Sequence, residues 1–589
     1  MLSRLSQLPK RRRYLLISLF LLLTLFAGIY TGYLSGHRFS ENKRFQTFTK
    51  ELFKNEVSGS TLTLHYTLAY PEDYGISPSK ATLGTMNTDT AKTQKLCENY
   101  LKKLKTFDSQ RLSLQNNIAL DTLLLYFHTQ LQGLKTPLLD EPLGPSLGIQ
   151  AQLPVLLAEY AFYQEQDITD YLNLLTDIPE YFHSILDYEK QKSQNGLFMS
   201  DTTLDRIQAQ CRSFIQDPDT NYMLSVFSQK LDDFKTLSDA DKSDLIKVHK
   251  EILNHKVIPA YQGLIEGLET LRGTGRDSRG LSHYPGGSEY YQYLLKSQTG
   301  VYESVPRLRQ RLLTQLKRDS AEISVLAGTH PSLLTTYAKG ADLPTLKPKE
   351  ALSFLQSRIK QDFPALDHAS YQIRYVHKSM EKYLSPAFYL TPPLDTLQPN
   401  VIYINQASSS TQLELFTTLA HEGFPGHLYQ TQFFSRLNPD PVRLLFDSSG
   451  YVEGWATYVE SYAYQYAASL MKQADARSLT RLAALNRSVN LCIYSLVDIG
   501  IHDQGWSSGQ TGEFLKNFGI RDASAVGQIY QYIVETPGNY LKYYAGYLNF
   551  LDLKEEKKKE AGDNFDLKAF HSRILEIGPV PFPVLKKYL

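Results

Sequence analysis

Two histidines, His421 and His427, stand six residues apart with Pro425 and Gly426 between them, inside a stretch that otherwise reads as helix. That pairing constrains the fold more than any other feature of the chain. Upstream, Leu413, Phe416, Leu419 and Ala420 recur at helical spacing and read as one buried face. In an unbroken helix, at about 100° per residue, side chains six apart point roughly 120° away from each other. Pro425 cannot continue such a helix. Its ring lacks an N–H and clashes with the carbonyl four residues back, that of His421. Gly426 accepts backbone angles that other residues avoid. The sequence therefore predicts a local bulge that absorbs two residues and returns His427 to the face of His421.

The residue types on that face carry a chemistry. Two histidines flanking a glutamate, Glu422, form the set that binds a catalytic zinc and supplies a general base beside it. The common form of the motif spaces its histidines four apart, on one helical face. Zinc needs a third protein ligand, and a glutamate from a following helix is a frequent source. Residues 451–460 offer Glu453 and Glu460, seven apart and so on one face; one of them suffices, and both also read as surface charges. Cys97, Cys211 and Cys492 are too few for a disulfide framework or a cysteine-held zinc, so the donors must be histidine and carboxylate.

The amino terminus sets location. Lys10, Arg11, Arg12 and Arg13 precede 21 uncharged, mostly apolar residues, 14–34, enough to span a bilayer. The basic cluster is expected to stay in the cytoplasm, so residues 1–13 are cytoplasmic, 14–34 form an uncleaved signal anchor with a cleaved signal peptide as the competing reading, and the rest lies outside. The rest is expected to be mainly helical, divided into an N-terminal helical region, 35–280, and a catalytic region, 281–589. The glycine- and arginine-rich stretch 272–280 marks the boundary, which is equally readable as a loop inside one domain. Residues 386–399 read as irregular. Val401 to Asn405 has strand character, and a strand just before the metal helix would be an edge able to pair with an extended peptide. With 42% hydrophobic and 21% charged residues and a net charge of +1, the chain lacks the basic signature of a nucleic-acid partner. It has neither a phosphate-binding glycine loop nor a nucleophile elbow.

At this level the sequence resembles the bacterial family called domain of unknown function 885, itself similar to the gluzincin metallopeptidases. The motif at 421–427 followed by Gln430, and Glu453 with Gly454, Trp455 and Ala456, carry the resemblance. So do residues 64–76, 284–291, 498–502, 537–538 with Tyr543, and 578–581, so that it spans about residues 60–589. The resemblance implies a large helical gluzincin-like fold with a small β element beside the active-site helix. It implies one zinc ion held by His421, His427 and Glu453, with Glu422 as general base to the water that zinc activates. It further implies Tyr543 as the donor to the oxyanion; Tyr540, Tyr544 and Tyr547 are close enough to compete for that part. His502 follows Asp498 by four residues, a spacing at which the two can hydrogen-bond, and is implied as a substrate or oxyanion contact.

The expected function is therefore a membrane-anchored, extracytoplasmic zinc metallopeptidase acting on peptide substrates. The competing readings are a membrane-tethered binding protein with a structural or vestigial metal site, and a zinc hydrolase of non-peptide amides.

Overall fold

Helical periodicity and well-placed caps decide most of the local structure. Ser113, Ser200 and Ser238 each accept a hydrogen bond from a backbone N–H in the first turn of the helices Leu114–Gly133, Asp201–Ile215 and Asp239–Ile252. A cap of this kind is worth about 1 kcal/mol. The computed structural model describes residues 39–589, apart from residues 78, 87–88, 276–278, 341–342, 368, 377, 379–380 and 382–384. The expected membrane anchor, residues 14–34, lies outside the described residues. Among those, no helix is long and apolar enough to cross a membrane.

The chain is mainly helical with one small sheet. One apolar core is drawn from residues between Ala81 and Leu271, and a larger one chiefly from residues beyond Leu281, joined by Ile118 and Leu139. The opening helix, residues 39–57, inserts Phe45, Phe48 and Leu52 between Leu101, Phe127 and the distant Val442 and Phe446. The first residues described are thus packed against the C-terminal half.

That half is built on α1 (Gly287–Thr299), α2 (Val305–Thr329), α3 (Gln412–Glu422), α4 (His427–Ser435), α5 (Ser449–Ala468), α6 (Ala476–His502), α7 (Ala523–Glu535) and α8 (Asn539–Ala561). Helices α5 and α8 meet backbone to backbone. A Cβ on Gly454 would lie 2.5 Å from the Gly546 backbone, and one on Gly546 would lie 2.1 Å from the Gly450 carbonyl. Only glycines permit this approach, and it brings Glu453 of α5 and Tyr543 of α8 to the same end of the site.

The sheet has the order β1-β3-β2, with β1 Gln372–Tyr375, β2 Ala387–Leu390 and β3 Val401–Ile404. Strand β3 pairs parallel with β1, Gln372 to Val401 through Tyr375 to Ile404, and antiparallel with β2, Ala387 to Ile404 through Leu390 to Val401. This corrects the expectation of an edge strand at 401–405. Strand β3 is central and buried along its length, so its backbone groups are already paired. The edge beside α3 is β2, inside the passage read from sequence as irregular.

Candidate metal centre and cleft

The junction of α3 and α4 is where the proline and glycine act. Helix α3 closes regularly, Gly423 N–H donating to Leu419 O at 2.9 Å. Then Gly426 N–H donates to Ala420 O at 2.9 Å and Tyr429 N–H to Gly423 O at 3.1 Å, each reaching back six residues instead of four. Two residues are skipped, as expected, but by a full break between two helices and not by a bulge inside one. Proline offers no donor, and the Gly426 backbone lies so close to His421 that a Cβ there would sit 1.7 Å from its carbonyl oxygen. From α5, Trp455 Nε1–H donates to Pro425 O at 2.9 Å and holds the break in place.

The break puts the two imidazoles together. His421 Nε2 and His427 Nε2 are 3.1 Å apart with rings nearly perpendicular, and Glu453 Oε2 lies 3.5 Å from each. Donors held 2.0–2.1 Å from one ion at tetrahedral angles would be spaced about 3.3 Å. Among the described residues these three form the group able to hold a metal ion. Two imidazoles and one carboxylate at this spacing fit a metal of zinc type.

Glu460 has a different place. Its Oε1 lies 2.7 Å from His421 Nδ1, and its Oε2 accepts from Arg487 Nε at 3.2 Å. With a metal bound in place of the second ring proton, a proton kept on Nδ1 and directed at a carboxylate would leave Nε2 as the lone pair facing the other donors. Burial opposes charge on His421, yet its hydrogen bonds to Glu453 and Glu460 outweigh burial and hold it up at about 10. Burial likewise opposes the charge on Glu460, but Arg487 and His421 hold its carboxyl down at about 2.

A cleft of about 850 Å³ opens on this centre, lined by His421, Glu422, Glu460, Arg487, Tyr540 and Tyr543 among others. Glu422 sits at the end of α3, and its Oε2 accepts the Tyr389 N–H of β2 at 2.9 Å. Tyr543 carries its ring 6.4 Å from that of His421. Burial first, then the charges of Glu453 and Glu422, raise its phenol well above the ordinary value, so it keeps its proton and can donate. The neighbouring tyrosines are placed otherwise. Tyr544 is buried at 2.8 Å from Ser488 Oγ, Tyr547 packs on Tyr544, and Tyr540 lies against Tyr494 and Tyr532.

His502 does not reach the cleft, and the expected pairing with Asp498 is replaced on both sides. Its Nδ1 accepts from Leu281 N–H at 3.2 Å, and its Nε2–H donates to Ile533 O at 2.9 Å. Both nitrogens are spent on backbone, and burial, only partly countered by the Ile533 bond, pushes the ring down to about 4. Asp498 instead accepts from Tyr291 O–H at 2.5 Å and from Gly538 N–H at 2.8 Å. Gly538, at φ +79°, caps the start of α8. The motif segments 284–291, 498–502 and 537–538 therefore meet in one buried joint, which fixes where α8 begins and so where Tyr543 points.

Three contributors escaped the sequence reading: Glu460 as partner of His421, Arg487 behind it, and the Tyr389 N–H on Glu422. Only Glu460 left a signal, the shared face with Glu453.

A family model described as bacterial protein of unknown function, DUF885, matches residues 72–589. No curated protein matches the chain in sequence. The fold is similar to that of a "putative lipoprotein" from Colwellia psychrerythraea, at 18% identity and TM-score 0.79, covering 93% of this chain and 98% of that one. It is also similar to a like-named protein of unknown function from Shewanella oneidensis, at 16% identity and TM-score 0.59, covering 92% and 99%. These likenesses bear on the fold alone.

Proposed function

The chain belongs to the bacterial DUF885 family of unknown function, and we propose that it is a zinc-dependent metallopeptidase. In this reading His421, His427 and Glu453 hold one zinc ion, Glu422 is the general base and Tyr543 the oxyanion donor. The observation that carries the reading is the triangle of donor atoms, 3.1, 3.5 and 3.5 Å apart, backed by the 2.7 Å bond from His421 to Glu460. Three protein donors favour a catalytic site over a closed structural one, which takes four.

A bound zinc ion supplies Lewis acidity, polarising a carbonyl and lowering the pKa of water. The chain's own residues do the rest. Glu422, tethered through one oxygen by Tyr389 N–H, takes a proton from the attacking water with the other and passes it to the leaving nitrogen. Tyr543 donates its O–H where negative charge develops on the former carbonyl oxygen. Glu460 keeps His421 in the tautomer that presents Nε2. The outer edge of β2, where Tyr389 N–H already binds Glu422, has no strand partner among the described residues, and its remaining backbone groups are available to an extended peptide.

Membrane attachment through residues 14–34, with the catalytic region outside the cytoplasm, belongs to the same proposal. It rests on the basic cluster and apolar run, and it agrees with the lipoprotein description of both like-folded proteins.

The deciding experiment is hydrolysis of a mixed peptide library by metal-stripped and zinc-restored protein, read by mass spectrometry, with Glu422→Gln as control. Zinc-dependent cleavage that vanishes in the variant is the expected result. No cleavage by folded, zinc-loaded protein would overturn the peptidase reading and favour non-peptide amides or a binding role.

A further inference from the structure

Arg487 is the one lysine or arginine among the described residues lining the cleft. Its Nε is committed to Glu460 and its side chain remains 45% exposed, and among the described residues the two terminal nitrogens of the fork have no other partner. A planar pair of N–H donors matches a carboxylate bidentately, which an ammonium does not. Glu460 holds the Arg487 side chain by that bond and so fixes where the rest of the fork lies. Asn490, one turn along α6, lines the same wall. Arg487 also borders an adjoining cavity of about 190 Å³, which shares Glu460, Tyr464 and Leu491 with the cleft and is lined by charges of both signs, Arg318, Arg481 and Lys554 with Asp319 and Glu555. Of the carboxylates lining the cleft, Glu414 and Glu422 belong to α3, and Glu460 of α5 is the one bonded to Arg487. Arg487 is therefore the point of the cleft that a carboxylate can pair with.

Distance limits what that anion can be. One imidazole and one carboxylate, His421 and Glu460, separate the fork from the metal ligands' common face. That separation is on the order of 10 Å, the reach of about three extended residues. We infer that Arg487 receives the terminal carboxylate of a peptide, and that the enzyme removes short fragments from carboxyl termini. The inference rests on the peptidase reading and adds its substrate class. An internal Asp or Glu near the scissile bond presents the same chemistry, so the test separates the two sources.

The full-length zinc-loaded protein is given three peptides, the first two of one sequence and the third differing from them at one position. The first ends in a free acid, the second in an amide, and the third in an amide with a glutamate placed two residues after the cleavage site. Wild type should cleave the free acid at least tenfold better in kcat/KM than the plain amide. Arg487→Met should lose that preference, and Arg487→Lys, with charge but no fork, should keep only part of it, zinc content being measured in each. Equal cleavage of acid and amide overturns the inference. Cleavage that favours the glutamate peptide over the free acid overturns the terminal assignment. If no peptide is cut, the peptidase reading fails, and calorimetry on Glu422→Gln protein still decides the role of Arg487. Tighter binding of the free acid than of the amide supports the carboxylate contact, and equal binding overturns it.

Discussion

Glu460 Oε1 lies 2.7 Å from His421 Nδ1, while Glu453, seven residues earlier on the same helix, presents Oε2 at 3.5 Å from the other nitrogen of that ring. One face of α5 thus holds a single imidazole from both sides, with one carboxylate at each ring nitrogen. Glu460→Gln retains the shape and an acceptor for Nδ1–H but removes the charge. We expect zinc affinity to fall about 10- to 100-fold with the fold preserved. Competition against a chelator of known affinity measures it. An unchanged affinity would show that Glu460 serves only to neutralise Arg487.

Tyr543→Phe removes the proposed oxyanion donor and little else. Loss of one such donor costs about 10²- to 10³-fold in kcat. The change should appear in kcat with KM nearly constant, because the contact strengthens only in the transition state. If Tyr540→Phe gives the larger kcat loss, the assignment moves one turn towards the start of α8.

Gly426→Ala tests the break between α3 and α4. The added Cβ would lie 1.7 Å from the His421 carbonyl oxygen and 2.5 Å from that of Ala420, both backbone atoms with no side chain able to yield. The junction must open, moving His427 away from His421. We expect at least about 1–3 kcal/mol of destabilisation, the usual cost of forced overpacking, together with loss of zinc. Thermal melting with and without zinc reads both. A variant that melts and binds zinc like the wild type would mean that the junction adapts.

What the sequence could and could not disclose follows from the range of the interactions. The return of His427 to His421 was legible because its causes, a missing N–H at Pro425 and a missing Cβ at Gly426, lie within six residues. The expected bulge became a break because Trp455 and the His421 carbonyl, one distant in sequence and one local, jointly hold the junction. Glu453 and Glu460 share a face, so spacing alone does not say which of them meets Nε2; the packing of α3 on α5 decides that. Strand β3 was visible from its β-branched run, but its central position depends on β1 and β2, each four residues long. Strand β2 is preceded by Pro386 and followed by Pro392 and Pro393, which mask it as a loop. Arg487 reads in sequence as one more exposed helical cation, and only its bond to Glu460 distinguishes it.

His502 offers the sharpest separation of a buried structural histidine from a catalytic one. Its ring, held neutral between Leu281 N–H and Ile533 O, is pushed down to about 4 by burial. In the unfolded chain it titrates near 6.5. Between those values the unfolded state binds the proton and the folded state does not, so the stability this residue contributes is present above about pH 6.5 and is lost as pH falls through 4. His502→Gln lacks this titration. The variant should be destabilised at pH 8 by its unpaired backbone groups, and the gap to wild type should shrink by about 3 kcal/mol by pH 4, at roughly 1.4 kcal/mol per pH unit. Denaturant melts of both proteins across that range measure the gap. Where the variant remains folded, kcat should stay within a few-fold of wild type, since the ring touches neither the cleft nor the metal ligands. A gap constant with pH, or a kcat loss of 10²-fold in folded variant, would return His502 to the site.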